Sequence, residues 1–450
     1  MSGPKVVRIV TREEIISLCE GHLARLDATI AEWTRIGRRN DCISDADTAT
    51  VQARRETLRE LLAADRFVDL QKQVPLEISF LRDDLQIRLE KVAAEAAKAR
   101  TAQRRQGDAA RALLSALKRA GKAIEPELEQ ALHGVAAGRS DSSAMTKGFN
   151  LLSAAPEANA DARYALAQRL KDGEDRMTFA AWLSAQPKPR ADPALERLES
   201  RLAELGVVAG ADVCAPFEAQ LRAAIGEAGD ARRNLLLDSL GLDLGRTLAE
   251  ARKRAGLADE LRLVFAELEQ AGSSALEALS AKRNAATSLT ALTALLDQAQ
   301  QTLSREREKH GARSRRAAVL KSLSGLGYEV TEGLETAWVE EGRVVLRKTA
   351  QPGYGVEIAG DLEVARVQMR AVAFTDGGAG PDSARDKDAE TLWCGDVATL
   401  QAQLGKGGGG LVIERALAVG ATPLKRLVDT GRASRDQSRE GPAQQTRTLR

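Results

Sequence analysis

Apolar residues recur at alternating steps of three and four positions through much of this chain, and this spacing most constrains its fold. The clearest run precedes Arg305 and consists of Leu289, Leu292, Leu296, Ala299 and Leu303. At 3.6 residues per turn these side chains share one face of a helix, which must pack against a neighbouring helix. The sequence therefore predicts a coiled-coil interaction seam made by Leu289, Leu292, Leu296 and Leu303. A seam of this kind indicates that the helix packs against a partner helix, and it gives no information about catalytic or binding chemistry.

Composition also favours helices over sheets. Aromatic residues make up only 3% of the chain, while Ala, Leu, Arg and Glu dominate. These four residues have high helix propensity, whereas strands prefer aromatic and β-branched side chains. The predicted fold is mainly α: a helical bundle with long antiparallel coiled-coil arms, a small C-terminal α+β domain and a disordered tail.

Changes in periodicity and in proline, glycine and charge content divide the 450 residues into six regions. The predicted regions are an N-terminal helical hairpin and coiled-coil region (1–108), a compact helical region (109–186), a Pro-rich linker (187–193), a long helical coiled-coil region (194–323), the α+β domain (324–428) and the disordered tail (429–450). Several domains are expected because a single core rarely grows beyond about 250 residues.

Local signals place helix ends within these regions. Thr11 and Glu14 form a capping box before the first helix, and Pro126 suits the first turn of another. Pro75 is expected to end or kink the second helix, and the polar stretch 101–108 to end the third. Gly272 predicts a break in the long helical tract that ends near residue 323.

The period changes near residue 326, where β-branched and aromatic residues lie between Gly, Pro and Asp. The predicted strands are Tyr328–Val330, Arg343–Arg347, Tyr354–Ile358, Val367–Phe374 and Leu411–Val419. The pair Glu341–Gly342 predicts a hairpin turn, and a helix is expected at Ala389–Leu404, between the last two strands. About 100 residues is a sufficient size for an independently folding domain.

Charge and hydropathy limit the partners and the compartment. The chain has 66 basic and 64 acidic residues, so no global field draws it onto nucleic acid or an anionic membrane. No stretch approaches the roughly 18 apolar residues of a membrane span, and the first ten residues lack the apolar core of a signal peptide. The four cysteines lack paired spacing. These features predict a cytoplasmic protein with reduced thiols and no membrane contact.

The candidates for metal or cofactor chemistry are weak. Cys19 and His22 lie one helical turn apart and supply only half of a zinc site. The glycine run 405–410 follows a helix and precedes a strand, which is the wrong order for a phosphate loop. The acidic loop Asp376–Glu390 does not match EF-hand spacing. The sequence therefore predicts no catalytic residue, no metal site and no cofactor, and the chain is not expected to be an enzyme.

A dense basic segment, called here the basic neck, leads into the α+β domain. Its candidate phosphate-contacting residues are Arg305, Arg307, Lys309, Arg313, Arg315 and Arg316. On a helix these side chains spread around most of the circumference, which favours a solvated helix over a nucleic-acid-binding face. A second basic cluster lies at residues 98–105.

The expected function is a non-enzymatic scaffold or assembly subunit of a cytosolic multi-protein complex. Its helices would bind a protein partner or a second copy of the chain, and the α+β domain would dock something specific. The alternative is a nucleic-acid-associated component of a bacterial genome-maintenance or defence complex that uses the basic neck, although nucleic-acid binding is the weaker expectation. A third alternative, a hydrolase or nuclease, would require convergence of carboxylates such as Asp386, Asp388 and Glu390.

Overall fold

The protein is mainly helical with a small sheet, as its composition predicts. The computed structural model describes residues 4–153, 193–331, 333–360, 365–375, 382–406 and 408–428. The part of the compact region after residue 153, the Pro-rich linker except Pro193, and the tail 429–450 lie outside the described residues. In the described ranges, no helix combines the length and the apolar character that crossing a membrane requires.

The helices begin and end largely where local signals place them. They are α1 (Arg12–Arg39), α2 (Asp45–Ala63), α3 (Phe67–Arg119), α4 (Pro126–Ala136), α5 (Ser142–Ser153), α6 (Pro193–Ala209), α7 (Ala211–Gly226), α8 (Asp230–Gln270), α9 (Leu276–Ala285), α10 (Leu289–Gly325), α11 (Leu334–Glu341) and α12 (Ser383–Lys406). The Thr11 hydroxyl accepts a hydrogen bond from the Glu14 amide at 3.2 Å, and Pro126 opens α4. Gly272 has a positive φ of 64° between α8 and α9, at the predicted break.

Helix α3 differs from the prediction because it is one continuous element of 53 residues. At 1.5 Å per residue it is about 80 Å long. Pro75 lies inside the helix, in a stretch where the apolar residues Leu70, Val74, Ile78 and Leu81 are all buried, so tertiary packing of this stretch outweighs the one backbone hydrogen bond that proline loses. The stretch 101–108 also remains helical, since Ala, Arg and Gln favour helices despite their polarity.

The chain divides into two compact units. One contains residues 1–31, 49–80 and 259–450, and the other contains residues 32–48 and 81–258. The first unit includes the whole sheet. In the second unit, leucines of α6 and α8 and apolar residues of α7 form a core with Cys214.

In the described residues, six strands form the sheet of the first unit. They are β1 (Lys5–Val10), β2 (Arg343–Lys348), β3 (Gln351–Ala359), β4 (Arg366–Thr375), β5 (Gly410–Ala416) and β6 (Lys425–Val428). The order is β2-β3-β4-β1-β5 with antiparallel pairing, and β6 pairs in parallel with the end of β4. Helix α12, between β4 and β5, includes the predicted helix Ala389–Leu404.

Strand β1 is the largest departure from the sequence prediction, which placed no strand before residue 324. It pairs with β4 on one side, where Val7 lies opposite Val367, and with β5 on the other, where Ile9 lies opposite Leu411. The α+β module therefore contains a strand from the other end of the chain. Six residues with alternating burial are too short a signal to reveal partners more than 350 positions away.

The predicted turns and strand ends of the module need correction. Gly342 does not make a hairpin turn, because it ends helix α11 with a positive φ of 66°. The first hairpin instead joins β2 to β3 through residues 349–350. The predicted strand Tyr328–Val330 is reduced to a single bridge between Tyr328 and Lys348, and β5 ends at Ala416, before Val419.

One face of the sheet, called here the inner face, packs against α10, α11 and α12. Its core includes Val7, Ile9, Val319, Leu323, Trp338, Leu346, Val356, Ile358, Met369, Trp393, Val397 and Leu400, all buried. Because successive side chains of a strand point to opposite faces, the residues between these positions form a second, outer face.

Candidate functional site

The outer face of the sheet carries a cluster of basic side chains, called here the basic face. Its members are Arg8, Arg343, Arg347, Arg366, Arg370 and Lys425. The strand register places them together: Arg8 lies directly opposite Arg366, Glu357 lies opposite Arg370, and Lys425 lies beside Val372, two residues further along β4. Five of the six come from the predicted α+β domain, and Arg8 comes from β1.

Glu357 anchors three of these cations. Its side chain is 1% exposed and forms ion pairs with Arg370, with Lys425 at 2.6 Å and with Arg343 at 3.9 Å. Burial raises the pKa of Glu357, but hydrogen bonds from Lys425 and Arg370 lower it by more, so the pKa lies below its ordinary 4.5. One ionised carboxylate thus holds three cations on the outer face.

The remaining members of the basic face are more exposed or stacked. Arg8 is exposed, and the side chain of Arg366 is 61% exposed although it pairs with Glu414 at 2.8 Å. The guanidinium of Arg347 lies 4.4 Å from the ring centroid of Phe374, which is a cation–π contact. The result is a positively charged sheet surface with one flat, stacked side-chain pair.

A shallow cleft lies on the inner side, between α12 and the β2–β3 hairpin. In it, Asp396 accepts hydrogen bonds from the Tyr328 hydroxyl at 2.7 Å and from the Lys348 ammonium at 2.5 Å. Burial, followed by the hydrogen bond to Asp396, raises the pKa of Tyr328 far above its ordinary value. Trp393 also lines the cleft, and within the described residues its buried Nε1 has no hydrogen-bond acceptor.

A second tyrosine–carboxylate group borders the same cleft. Asp386 accepts hydrogen bonds from the Tyr354 hydroxyl and from Arg426, both at 3.0 Å. Burial and Asp386 raise the pKa of Tyr354. Each carboxylate of the cleft is therefore already held by one cation and one phenol, an arrangement that fixes α12 to the sheet.

The predicted seam residues lie within the first unit of the single chain. Leu292, Leu296 and Leu303 are buried, at 6%, 6% and 7% exposure, while Leu289 is half-buried. The helix that carries them contacts α9, where Lys282 donates a hydrogen bond to Gln298. These side chains therefore do not form a free apolar surface in the single chain.

The six residues of the basic neck are not equivalent. Arg305 and Arg313 are exposed, and within the described residues neither forms an ion pair. The other four face carboxylates: Arg307 pairs with Glu267, Lys309 with Glu306 at 3.5 Å, Arg315 with Glu14 at 2.5 Å and Arg316 with Glu335 at 3.8 Å. Arg315 is buried, so its charge serves the contact between α1 and α10.

The second basic cluster, in α3, is also matched by acidic residues. The pairs are Lys98–Glu95, Arg100–Glu218, Arg104–Glu199 and Arg105–Glu196. Glu199 is buried and also accepts a hydrogen bond from Thr101 at 2.7 Å. This cluster joins α3 to α6 and α7 within the second unit.

The residues considered for metal or catalysis do not converge in the described part of the chain. Cys19 is buried, its sulfur accepts a hydrogen bond from the Gln71 amide, and burial raises the pKa of its thiol. His22 is half-buried, and burial lowers the pKa of its imidazole. No group of three or more metal-ligating side chains occurs in the described ranges. Asp388 is exposed, whereas the carboxylate of Glu390 accepts a hydrogen bond from the Gly420 amide at 2.6 Å. Asp376 of the acidic loop lies outside the described residues.

The basic face could not be found by searching for a basic run. Its residues are single arginines, separated by intervening positions, in three strands (β1, β2 and β4) and one lysine in a fourth (β6). The available signal was alternation, since Arg343 and Arg347, and likewise Arg366 and Arg370, occur with even spacing that keeps each pair on one face of a strand.

Comparison with known proteins gives no match, whether to a family model, to a curated protein or to a solved structure.

Proposed function

We propose that this protein is a non-enzymatic scaffold or assembly subunit of a cytosolic multi-protein complex. Its long helices would bind a protein partner or a second copy of the chain, in part as coiled-coil arms, and its α+β module would dock a specific partner. The length of α3, 53 residues, and of α8, 41 residues, supports a role in spanning distance.

The observation that most supports this proposal is that α8 has leucines on two opposite faces. Leu237, Leu240, Leu244 and Leu248 are buried in the core of the second unit. Leu235 and Leu242, seven residues apart, are 71% and 64% exposed on the opposite side of the helix. Large apolar side chains repeated at heptad spacing on a second face are typical of a helix that binds another helix.

Size-exclusion chromatography with light scattering tests this proposal on the full-length chain. Leu235→Gln with Leu242→Gln is expected to lower the mass of the assembly or abolish it. The comparison variant is Val68→Gln with Leu76→Gln, which removes similarly exposed apolar side chains, 63% and 69%, from α3 at eight-residue spacing. An unchanged mass in this variant would assign the contact to α8, and a lowered mass would assign it to α3 as well. A wild-type chain that is monomeric and retains no stoichiometric protein partner on purification would overturn the proposal.

The second candidate is a nucleic-acid-associated component of a genome-maintenance or defence complex. The basic face favours it, because six basic side chains share one sheet surface. The basic neck contributes less, since four of its six cations already face carboxylates. The two candidates are compatible, because an assembly subunit can bind nucleic acid through its docking module.

A further inference from the structure

We propose that the basic face binds single-stranded nucleic acid, mainly through its phosphates. The inference rests on the proposed docking role of the α+β module and names the partner of that module. The basic face is reached from solvent, since Arg8 is exposed and the side chains of Arg343 and Arg366 are 53% and 61% exposed.

The first argument is the unbalanced charge of Arg8 and Arg366. They lie directly opposite each other in neighbouring strands, where like charges destabilise a sheet. Glu414 pairs with Arg366, but within the described residues Arg8 has no carboxylate at ion-pair distance. An anion placed between the two guanidinium groups would remove this repulsion.

The second argument is the excess charge around Glu357. Arg343, Arg370 and Lys425 share this one buried carboxylate, and Arg343 also lies 3.9 Å from the exposed carboxylate of Glu341, so the group retains one positive charge beyond what the two carboxylates balance. Because the side chains of Arg343, Arg370 and Lys425 are 53%, 33% and 33% exposed, a ligand can approach them without breaking their contacts with Glu357.

The third argument is the width of the basic face. Arg343 lies in β2 and Arg8 lies in β1, three strands apart in the order β2-β3-β4-β1. With neighbouring strands about 4.8 Å apart, the charges extend across roughly 14 Å. A single phosphate cannot reach both ends, whereas an extended polyanion can contact them together.

The stacked pair Arg347–Phe374 favours a single strand over a duplex or an acidic protein. Bases stack on guanidinium planes and on aromatic rings, and only an unpaired strand presents both its phosphates and the faces of its bases. The carboxylates of an acidic protein segment would match the charge but have no aromatic face to stack on this pair, whereas every nucleotide carries both a phosphate and a base. With one aromatic ring on the face, binding is expected to depend mostly on phosphates and little on sequence.

Fluorescence anisotropy of a labelled oligothymidylate of about 20 nucleotides, longer than one site, measures binding to the full-length chain. The test variant is Arg8→Gln with Arg366→Gln, which leaves Glu357 and its three partners intact. Losing two phosphate contacts is expected to weaken binding about 25-fold at about 0.1 M salt and to flatten the salt dependence by about 1.4 logarithmic units per decade.

The matched control is Arg305→Gln with Arg313→Gln, which removes the same charge from two exposed neck residues that form no ion pair with the described residues. It is expected to change affinity less than about twofold, because these residues lie outside the basic face. Near-ultraviolet circular dichroism of both variants checks that the module remains folded.

Three results would overturn the inference: a wild-type chain that does not bind the oligonucleotide at low salt, equal weakening in both variants, or a duplex that binds more tightly than the single strand. The assembly role is judged separately by light scattering of the Leu235→Gln/Leu242→Gln variant. A chain that assembles but does not bind the strand therefore refutes the inference and leaves the proposed scaffold function standing.

Discussion

Glu357→Gln is the substitution that most directly tests how the sheet tolerates a charged outer face. It keeps the shape of the side chain and removes the one buried anion that holds Arg343, Arg370 and Lys425. Removing one member of a buried ion pair costs about 3–5 kcal/mol. Arg370 and Lys425 are each one third exposed and can regain water, so the expected loss is at the lower end, about 3 kcal/mol.

The stabilisation by Glu357 has a defined pH dependence. Its pKa in the folded state is lower than its ordinary 4.5, because the hydrogen bonds from Lys425 and Arg370 outweigh the effect of burial. A carboxyl whose folded pKa is depressed stabilises the fold fully above its unfolded pKa, and the contribution is lost as pH falls through the folded pKa. The difference between wild type and Glu357→Gln should therefore be constant at neutral pH and shrink only below pH 4.5.

Urea unfolding followed by tryptophan fluorescence measures this difference. Trp338 and Trp393 lie in the core of the module, so Trp33 and Trp182 are replaced by Phe in every protein compared. The control is Glu414→Gln, which breaks the more exposed pair with Arg366 and should cost less than about 1 kcal/mol. If Glu357→Gln were as stable as wild type at neutral pH, the sheet alone would hold the three cations and the reasoning would be refuted.

Three further substitutions test other contacts. Tyr328→Phe removes the hydrogen bond to Asp396 and should destabilise the module by about 1 kcal/mol in the same urea assay, and an unchanged midpoint would show that Lys348 alone satisfies the carboxylate. Arg315→Met leaves the carboxylate of Glu14 unpaired beside a buried site and should cost about 3 kcal/mol, most of which Glu14→Gln should restore in the double variant. Val7→Asp places a charge in the core at β1 and should separate β5 from the sheet. Limited proteolysis would detect this as cleavage near residues 410–416. If these residues resisted cleavage as well as in the wild type, the central position of β1 would be contradicted.

The sequence predicted the helices well because their signals are local. A cap such as Thr11, a break at Gly272 and apolar steps of three and four each act within one or two turns. Helix α3 shows the limit of this reasoning. Pro75 and the polar stretch 101–108 are local signals for an end, but burial of neighbouring apolar residues keeps the helix continuous.

The candidate site was beyond sequence reasoning because it depends on pairing between distant segments. The basic neck is dense in sequence, yet Glu14 and Glu267, which are far from it in the chain, neutralise two of its cations. Glu357 shows the opposite case: it stands alone in the sequence, and no adjacent residue in the chain indicates that its carboxylate is buried among cations. Its partners come from β2, β4 and β6, and only the strand register brings them together.

The basic face connects the strand order to the proposed docking role. Arg8 belongs to β1, and the other members belong to strands that follow residue 342, so the face is complete only when the two ends of the chain pair in one sheet. Among the described strands, β5 pairs with β1 alone. The pairing of β1 with β5 therefore also holds Glu414 of β5 beside Arg366 of β4. The long helical region begins after β1 and returns before β2, and both of its ends are thereby fixed to one sheet. A ligand that bridges Arg8 and Arg366 would bind only the closed sheet and would stabilise it by mass action. Occupancy of the basic face would thus strengthen the attachment of the helices to the sheet, and this would couple the proposed docking role to the proposed assembly role.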